Sequence, residues 1–225
     1  LIDFVTGYRA TYNPSKNSLK LPQLIALKAT TDSNLADVIS KNTNYNNKVN
    51  ERITAFSGLK SFSTRLVNAL QTTDATPETI GNAKTFNRKM QGKKASSTQT
   101  PTDPNTPAPN TISTSQQSYD QLIQHLAGLT TVLEAETSYT PNETDLQVAS
   151  IHAKIADLSA KNTAVATAYT SISNSRIARN ETLYTSTTSL VETALEVKKY
   201  IKSVFGASSP QYAQVKSIEF SKPRL

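Results

Sequence analysis

Residues 22–70 read PQLIALKATTDSNLADVISKNTNYNNKVNERITAFSGLKSFSTRLVNAL, and the spacing of their apolar positions decides the fold. Leu24, Leu27, Leu35, Val38, Tyr45, Val49, Ile53, Phe56, Leu59, Phe62, Leu66 and Leu70 recur mainly in steps of three and four. That period puts them on one face of an α-helix. Pro22 suits a first helical position, where the missing N–H costs nothing. Unbroken from 22 to 70, the helix would be roughly 73 Å long. Gly58 is the one strong internal breaker, costing ~1 kcal/mol in a helix. Asn42 stands on the stripe where a bundle core prefers an aliphatic side chain.

The same pattern extends on both sides. Upstream, residues 1–21 show little periodicity, and Asn13-Pro14-Ser15 and Asn17-Ser18 read as turns. Downstream, Thr76-Pro77-Glu78-Thr79 opens a helix carrying Ile80, Ala83, Phe86 and Met90, which Gly92 closes. Tyr119, Leu122, Ile123, Leu126, Leu129 and Leu133 stripe a helix over about residues 114–138. Thr140-Pro141-Asn142-Glu143 has the form of a capping box with proline at the first helical position. The helix it predicts carries Leu146, Ile151, Ile155, Leu158, Asn162, Val165, Tyr169 and Ile172, and ends near Ser173-Asn174 or frays toward Asn180. Leu190, Ala194, Val197, Ile201 and Val204 mark a further helix ended by Phe205-Gly206. Ser209-Pro210 could start one more turn, and Val215 to Phe220 alternates as a short strand would.

These elements predict an all-α fold, an antiparallel bundle of long amphipathic helices with an extended Pro/Thr-rich linker. The expected organisation is an N-terminal helical segment over 1–94, the linker over 95–112 and a C-terminal helical segment over 113–225, both segments packing into one bundle. Four prolines among small polar residues favour an extended backbone in 95–112.

Composition removes much of the catalytic menu. The 225 residues include no Cys and no Trp, two His, and 24 Lys+Arg against 17 Asp+Glu. Without Cys there are no disulfides, thiol nucleophiles or cysteine-based metal sites. The polarity is mostly uncharged: 31 Thr, 25 Ser and 17 Asn. A Glu-x-x-His pair, the bundle di-metal signature, is absent, since Leu122 and Ala149 precede His125 and His152 by three residues. Gly-rich phosphate loops and nucleophile elbows are missing too. The carboxylate pairs Glu134/Glu136 and Glu143/Asp145 flank helix boundaries, and the second pair suits the positive end of a helix dipole. No cofactor and no metal is expected, and the chain reads as a non-enzyme. No apolar run reaches the ~20 residues of a membrane span. The sequence opens on Leu1 without a signal peptide, which suits a processed, trimmed or partial chain, cytoplasmic or exported. Asn142-Glu-Thr144 and Asn180-Glu-Thr182 match the glycosylation sequon, an unremarkable match in so Asn- and Thr-rich a chain.

Charge is segregated along the chain. Residues 1–95 carry 14 basic and 6 acidic groups, residues 96–190 carry 4 and 8, and residues 191–225 carry 6 and 3. A basic front and an acidic middle can attract within or between molecules. The candidate interaction residues are therefore Lys84, Arg88, Lys89, Lys93 and Lys94 against Glu134, Glu136, Glu143 and Asp145. A second basic cluster, Lys198, Lys199 and Lys202, reads first as helix-end dipole complementation. Asn42 and Asn162 suggest a thin seam dotted with polar groups, which can set helix register, or a solvent-facing stretch.

Three stretches, Thr64–Ala95, Asp145–Tyr184 and Lys198–Arg224, resemble uncharacterised all-helical proteins of Bacteroidetes-type bacteria, the segment VFGASSPQY (204–212) most distinctively. The resemblance implies an all-helical fold and a bacterial source, and carries no catalytic residues. The expected function is that of a structural or interaction protein, acting as a homo-oligomer or with a protein partner. The alternatives are a membrane-active protein of the pore-forming type on anionic lipid, or a basic nucleic-acid-binding module, neither favoured.

Overall fold

The computed structural model describes residues 1–92 and 117–222. Lys93, Lys94 and the 95–112 linker lie outside the described residues. The fold is all-α, and among the described residues there is no strand. Among the described residues eight α-helices follow in order: α1 Ile2–Gly7, α2 Leu21–Phe56, α3 Leu59–Gln71, α4 Pro77–Gln91, α5 Tyr119–Ala135, α6 Val148–Asn180, α7 Leu190–Phe205 and α8 Pro210–Lys216.

The stop and start signals act as local chemistry requires. The helix expected over 22–70 breaks at Ser57-Gly58, giving α2 and α3. At that break Ser57 N–H and Oγ both donate to the Thr54 carbonyl, which turns the last orphan groups inward. Thr76, Ser118, Ser189 and Ser209 each cap a helix by accepting from the backbone N–H three residues on. Gly92 and Gly206 close α4 and α7 with φ of 73° and 92°, a region that favours glycine.

Two expectations need correction. The capping box at Thr140–Glu143 does not open a helix: a 3₁₀ turn over Thr144–Leu146 intervenes and α6 begins at Val148. That helix takes the farther of its two expected ends, running to Asn180 and closing in a single π turn over Glu181–Thr185. Val215–Phe220 is not a strand, because the Ser209-Pro210 start carries a helix through Lys216. The N-terminal 21 residues, read as turns, also contain α1 and two 3₁₀ turns.

The described residues form two compact units, Leu1–Asn46 with Ala168–Leu225 (unit 1) and Asn47–Thr167 (unit 2). Each draws on sequence from both sides of 95–112, because the divisions fall inside α2 and α6. Unit 2 holds a dry core of Leu59, Leu66, Leu70, Met90, Leu126, Leu129, Ile151 and Leu158, all 0–1% exposed. Unit 1 closes on Val5, Leu24, Val197, Ile201 and Val215.

Candidate functional site

A turn repeated in both units organises the rest. In unit 1 the Tyr12 hydroxyl donates to the Leu19 carbonyl at 2.8 Å, seven residues on. In unit 2 the Tyr139 hydroxyl donates to the Leu146 carbonyl at 2.9 Å, again seven residues on. Both hydroxyls are buried, and burial pushes each phenol up to about 12, helped at Tyr12 by Tyr200 and at Tyr139 by Glu143 and Asp145. A 3₁₀ turn then leads into a long helix in each case.

One constant displacement carries Tyr12 to Tyr139, Pro14 to Pro141, Leu19 to Leu146, Leu24 to Ile151 and Thr31 to Leu158. All of these except Pro141 are buried. A second displacement carries Leu59, Phe62, Ser63, Leu66 and Leu70 of α3 to Leu190, Thr193, Ala194, Val197 and Ile201 of α7, and all but Leu190 are buried. Thr76-Pro77 and Ser209-Pro210 then open α4 and α8 alike. The two units thus repeat one pattern of turn, cap and burial, marked in the sequence by Tyr-x-Pro-x-x-x-x-Leu, which follows no helical period.

Within each unit the two long helices meet through polar groups. In unit 1 Ser175 Oγ donates to Asp37 at 2.6 Å, Asn34 to Thr182 at 2.8 Å and Arg176 to Asn42 at 3.5 Å. In unit 2 Arg52 Nη1 donates to Asn162 at 3.0 Å, and Asn162 Nδ2 donates to Asp120 at 2.7 Å. The Arg52 guanidinium also lies 4.1 Å from the Tyr119 ring centre. Asn42 and Asn162 therefore bond across the seam. Glu51 bridges Lys48 and Lys161, which together hold its carboxyl below the usual range.

The candidate charges fall in unit 2. Lys84, Arg88 and Lys89 are exposed on α4, two of them in its last turn, and Lys89 lies 5.7 Å from the Phe86 ring centre. The acidic group sits where α5 ends and the following turn runs. There Glu136 accepts from Ser138 N–H and Oγ, which lowers its carboxyl, and Asp145 pairs with Arg65 at 2.6 Å. Glu134 lies 3.7 Å from His152 Nε2, and Glu143 is exposed. Gln117, just before α5, donates to the Lys89 carbonyl at 2.7 Å. Arg88 and Lys89 thus lie toward the start of α5, Lys84 beside its later turns, and the acidic groups at its end. In unit 1 Lys198 donates to the carbonyls of Lys216 and Ile218, capping α8.

His125 is 5% exposed and its Nε2 has no hydrogen-bond partner. Burial, then Lys89, lowers its pKa and keeps the imidazole neutral. Among the described residues no three His, Asp or Glu side chains gather as a metal site, and no helix is long and apolar enough to cross a membrane.

Unit 1 also carries an apolar groove of about 390 Å³ between α1, α2, α7 and the segment after α8. Leu1, Leu24, Leu27, Ala194, Val197 and Ile218 are among its walls.

No protein-family model matches the chain, and no curated protein or solved structure does either.

Proposed function

We propose that the protein is a non-enzymatic interaction protein, a duplicated helical bundle that acts by self-association or by docking into a larger assembly. The duplication carries this reading. Repetition of one helical unit multiplies a surface for binding, and each unit needs only apolar faces and turns to hold it. A catalytic cleft would need a convergence of reactive groups, and the polar groups of the seam are instead satisfied by one another. The charge segregation on unit 2 supports the self-association arm: exposed Lys84, Arg88 and Lys89 along α4 and Glu134 and Glu143 at the end of α5 and beyond suit contacts between copies.

Light scattering after size exclusion tests this reading. The expected result is a mass that rises above 24.5 kDa with concentration and falls as salt is raised. Reversing Lys84, Arg88 and Lys89 together should abolish the rise, because single exposed pairs contribute only ~0–1 kcal/mol. A mass of 24.5 kDa at every concentration and salt overturns self-association.

A further inference from the structure

We infer that residues 218–222 form a strap that closes one side of the unit 1 groove, and that two lysine contacts latch it to α7. The inference concerns access to the groove and does not rest on the self-association reading.

The strap follows α8, which ends at Lys216. Ile218 and Phe220 are half-buried and line the groove, whereas Ser217, Glu219 and Ser221 are exposed. That alternation is the one a chain shows when it is laid across an apolar surface with every second side chain turned inward. It accounts for the strand-like period of the sequence here without a partner strand. The groove's α7 wall is formed by Leu190, Thr193, Ala194 and Val197, in steps of three and four along the helix. The last three of these are at most 6% exposed with the strap in place.

The two latches run in opposite directions. Lys198 of α7 extends to the strap, and its Nζ donates to the carbonyls of Lys216 at 3.0 Å and Ile218 at 2.8 Å. Lys222 of the strap returns to α7, and its Nζ lies 2.6 Å from Glu192. Lys222 first, and then Lys199, hold the Glu192 carboxyl below its usual range, so it stays ionised. The strap therefore runs antiparallel to α7, from Lys198 toward Glu192. An extended chain from Ile218 to Lys222 covers ~13 Å, and α7 rises ~9 Å from Glu192 to Lys198. The latches thus bracket Thr193, Ala194 and Val197.

Little else fastens this segment. Among the described residues its one backbone–backbone hydrogen bond is local, from the Ile218 N–H to the Val215 carbonyl at 3.3 Å. Lys222 and Glu192 are 48% and 39% exposed, so their pair is weak and screened by salt. A segment held by so few contacts opens well before a core does. The groove's volume of about 390 Å³ also shows that Ile218 and Phe220 do not fill the space between themselves and α7. Opening the strap widens that space without breaking a packed core. The strap is thereby a gate: shut, it hides the α7 wall, and open, it presents apolar surface.

The chain has no Cys, so one introduced thiol reports the opening. Ala194→Cys places it on the groove wall, and Ala168→Cys places it on α6, at a buried position of unit 1 that does not line the groove. The rate of labelling by N-ethylmaleimide, an uncharged reagent, is measured for each. Lys198→Met removes a charged donor and should speed labelling at position 194 at least about tenfold. Lys222→Met breaks an exposed pair and should speed it about two- to fivefold. About 1 M sodium chloride, where the Debye length is ~3 Å, should bring the parent to the Lys222→Met rate and leave Lys222→Met itself unchanged. Labelling at position 168 should respond to neither substitution nor to salt. The salt measurement on the two thiol variants alone keeps the test independent of whether a lysine variant folds. The inference is overturned if salt or either lysine substitution leaves the rate at position 194 unmoved. It is overturned as well if positions 168 and 194 accelerate together, because unit 1 then loosens as a whole.

Discussion

Removing the Tyr139 hydroxyl tests the duplicated turn with little change of shape. Tyr139→Phe keeps the ring, 6% exposed among core neighbours, and deletes the donor that satisfies the Leu146 carbonyl at 2.9 Å. That carbonyl lies ahead of α6, so no helical N–H replaces the lost donor. A buried acceptor left unpaired costs about 1–3 kcal/mol. Tyr12→Phe orphans Leu19 in unit 1 in the same way. The alkaline limb gives a second reading of the same bonds. Each phenol ionises at about 12 when folded and near 10.0 as a free side chain. A pKa raised on folding means that the stabilisation is fully present below pH 10 and is lost as pH rises from about 10 to about 12. The full shift corresponds to at most about 2–3 kcal/mol per tyrosine. Urea unfolding followed by circular dichroism at pH 7.5 should show each single variant less stable by about 1–3 kcal/mol. From pH 9 to 11.5 the wild type should lose stability faster than the double variant, in which only the lysines and the other tyrosines titrate. Unfolding curves for Tyr139→Phe that coincide with the wild type, or parallel alkaline limbs for wild type and double variant, would falsify the claim that these hydroxyls hold the turns.

Three further outcomes follow from the packing. A Cβ added at Gly128 would collide with the Phe86 ring. Gly128→Ala should therefore destabilise unit 2 by about 1–2 kcal/mol, a ~1 kcal/mol helix-propensity gain only partly offsetting the overpacking. Trimming Phe86 to Leu in the same chain should recover part of the loss in a double-mutant cycle. His125, buried with Nε2 unpartnered, has a pKa lowered in the fold, so its contribution is present above pH 6.5 and is lost as pH falls below 6.5 toward the folded value. His125→Leu should flatten the stability profile between pH 6.5 and 5, measured by thermal unfolding, without lowering stability at pH 7.5. Arg65 and Asp145 are both 53% exposed, so Arg65→Ala should cost no more than about 1 kcal/mol in urea unfolding despite the short pair.

The helices were legible wherever a cap coincided with an apolar stripe. Thr76-Pro77, Ser209-Pro210, Gly92 and Gly206 are local signals, and the backbone obeys them locally. Thr140–Glu143 misled because Tyr139 competes. Its hydroxyl reaches past the would-be first turn to Leu146, and the segment between stays in turn and 3₁₀ geometry. The alternation over Val215–Phe220 lost to the helix that Ser209 starts, with Val215 buried and Ile218 set against the groove. The polar seam was half legible: Asn42 and Asn162 stood out on the apolar stripe, but their partners Arg176, Arg52 and Asp120 are distant in sequence. The duplication was hidden because turn residues persist while core residues drift, as Leu158 against Thr31 and Leu66 against Val197 show.

That drift has an energetic consequence. Among the described residues, sixteen apolar side chains are buried in unit 2 and eleven in unit 1. Thr31 returns its hydroxyl to the Leu27 carbonyl of its own helix at 2.9 Å, filling less volume than Leu158 and adding no contact across the core. Unit 1 thus has less apolar burial to set against the chain entropy of ordering its segments. Local opening should therefore begin in unit 1, and hydrogen exchange should show its amides protected less than those of the unit 2 core.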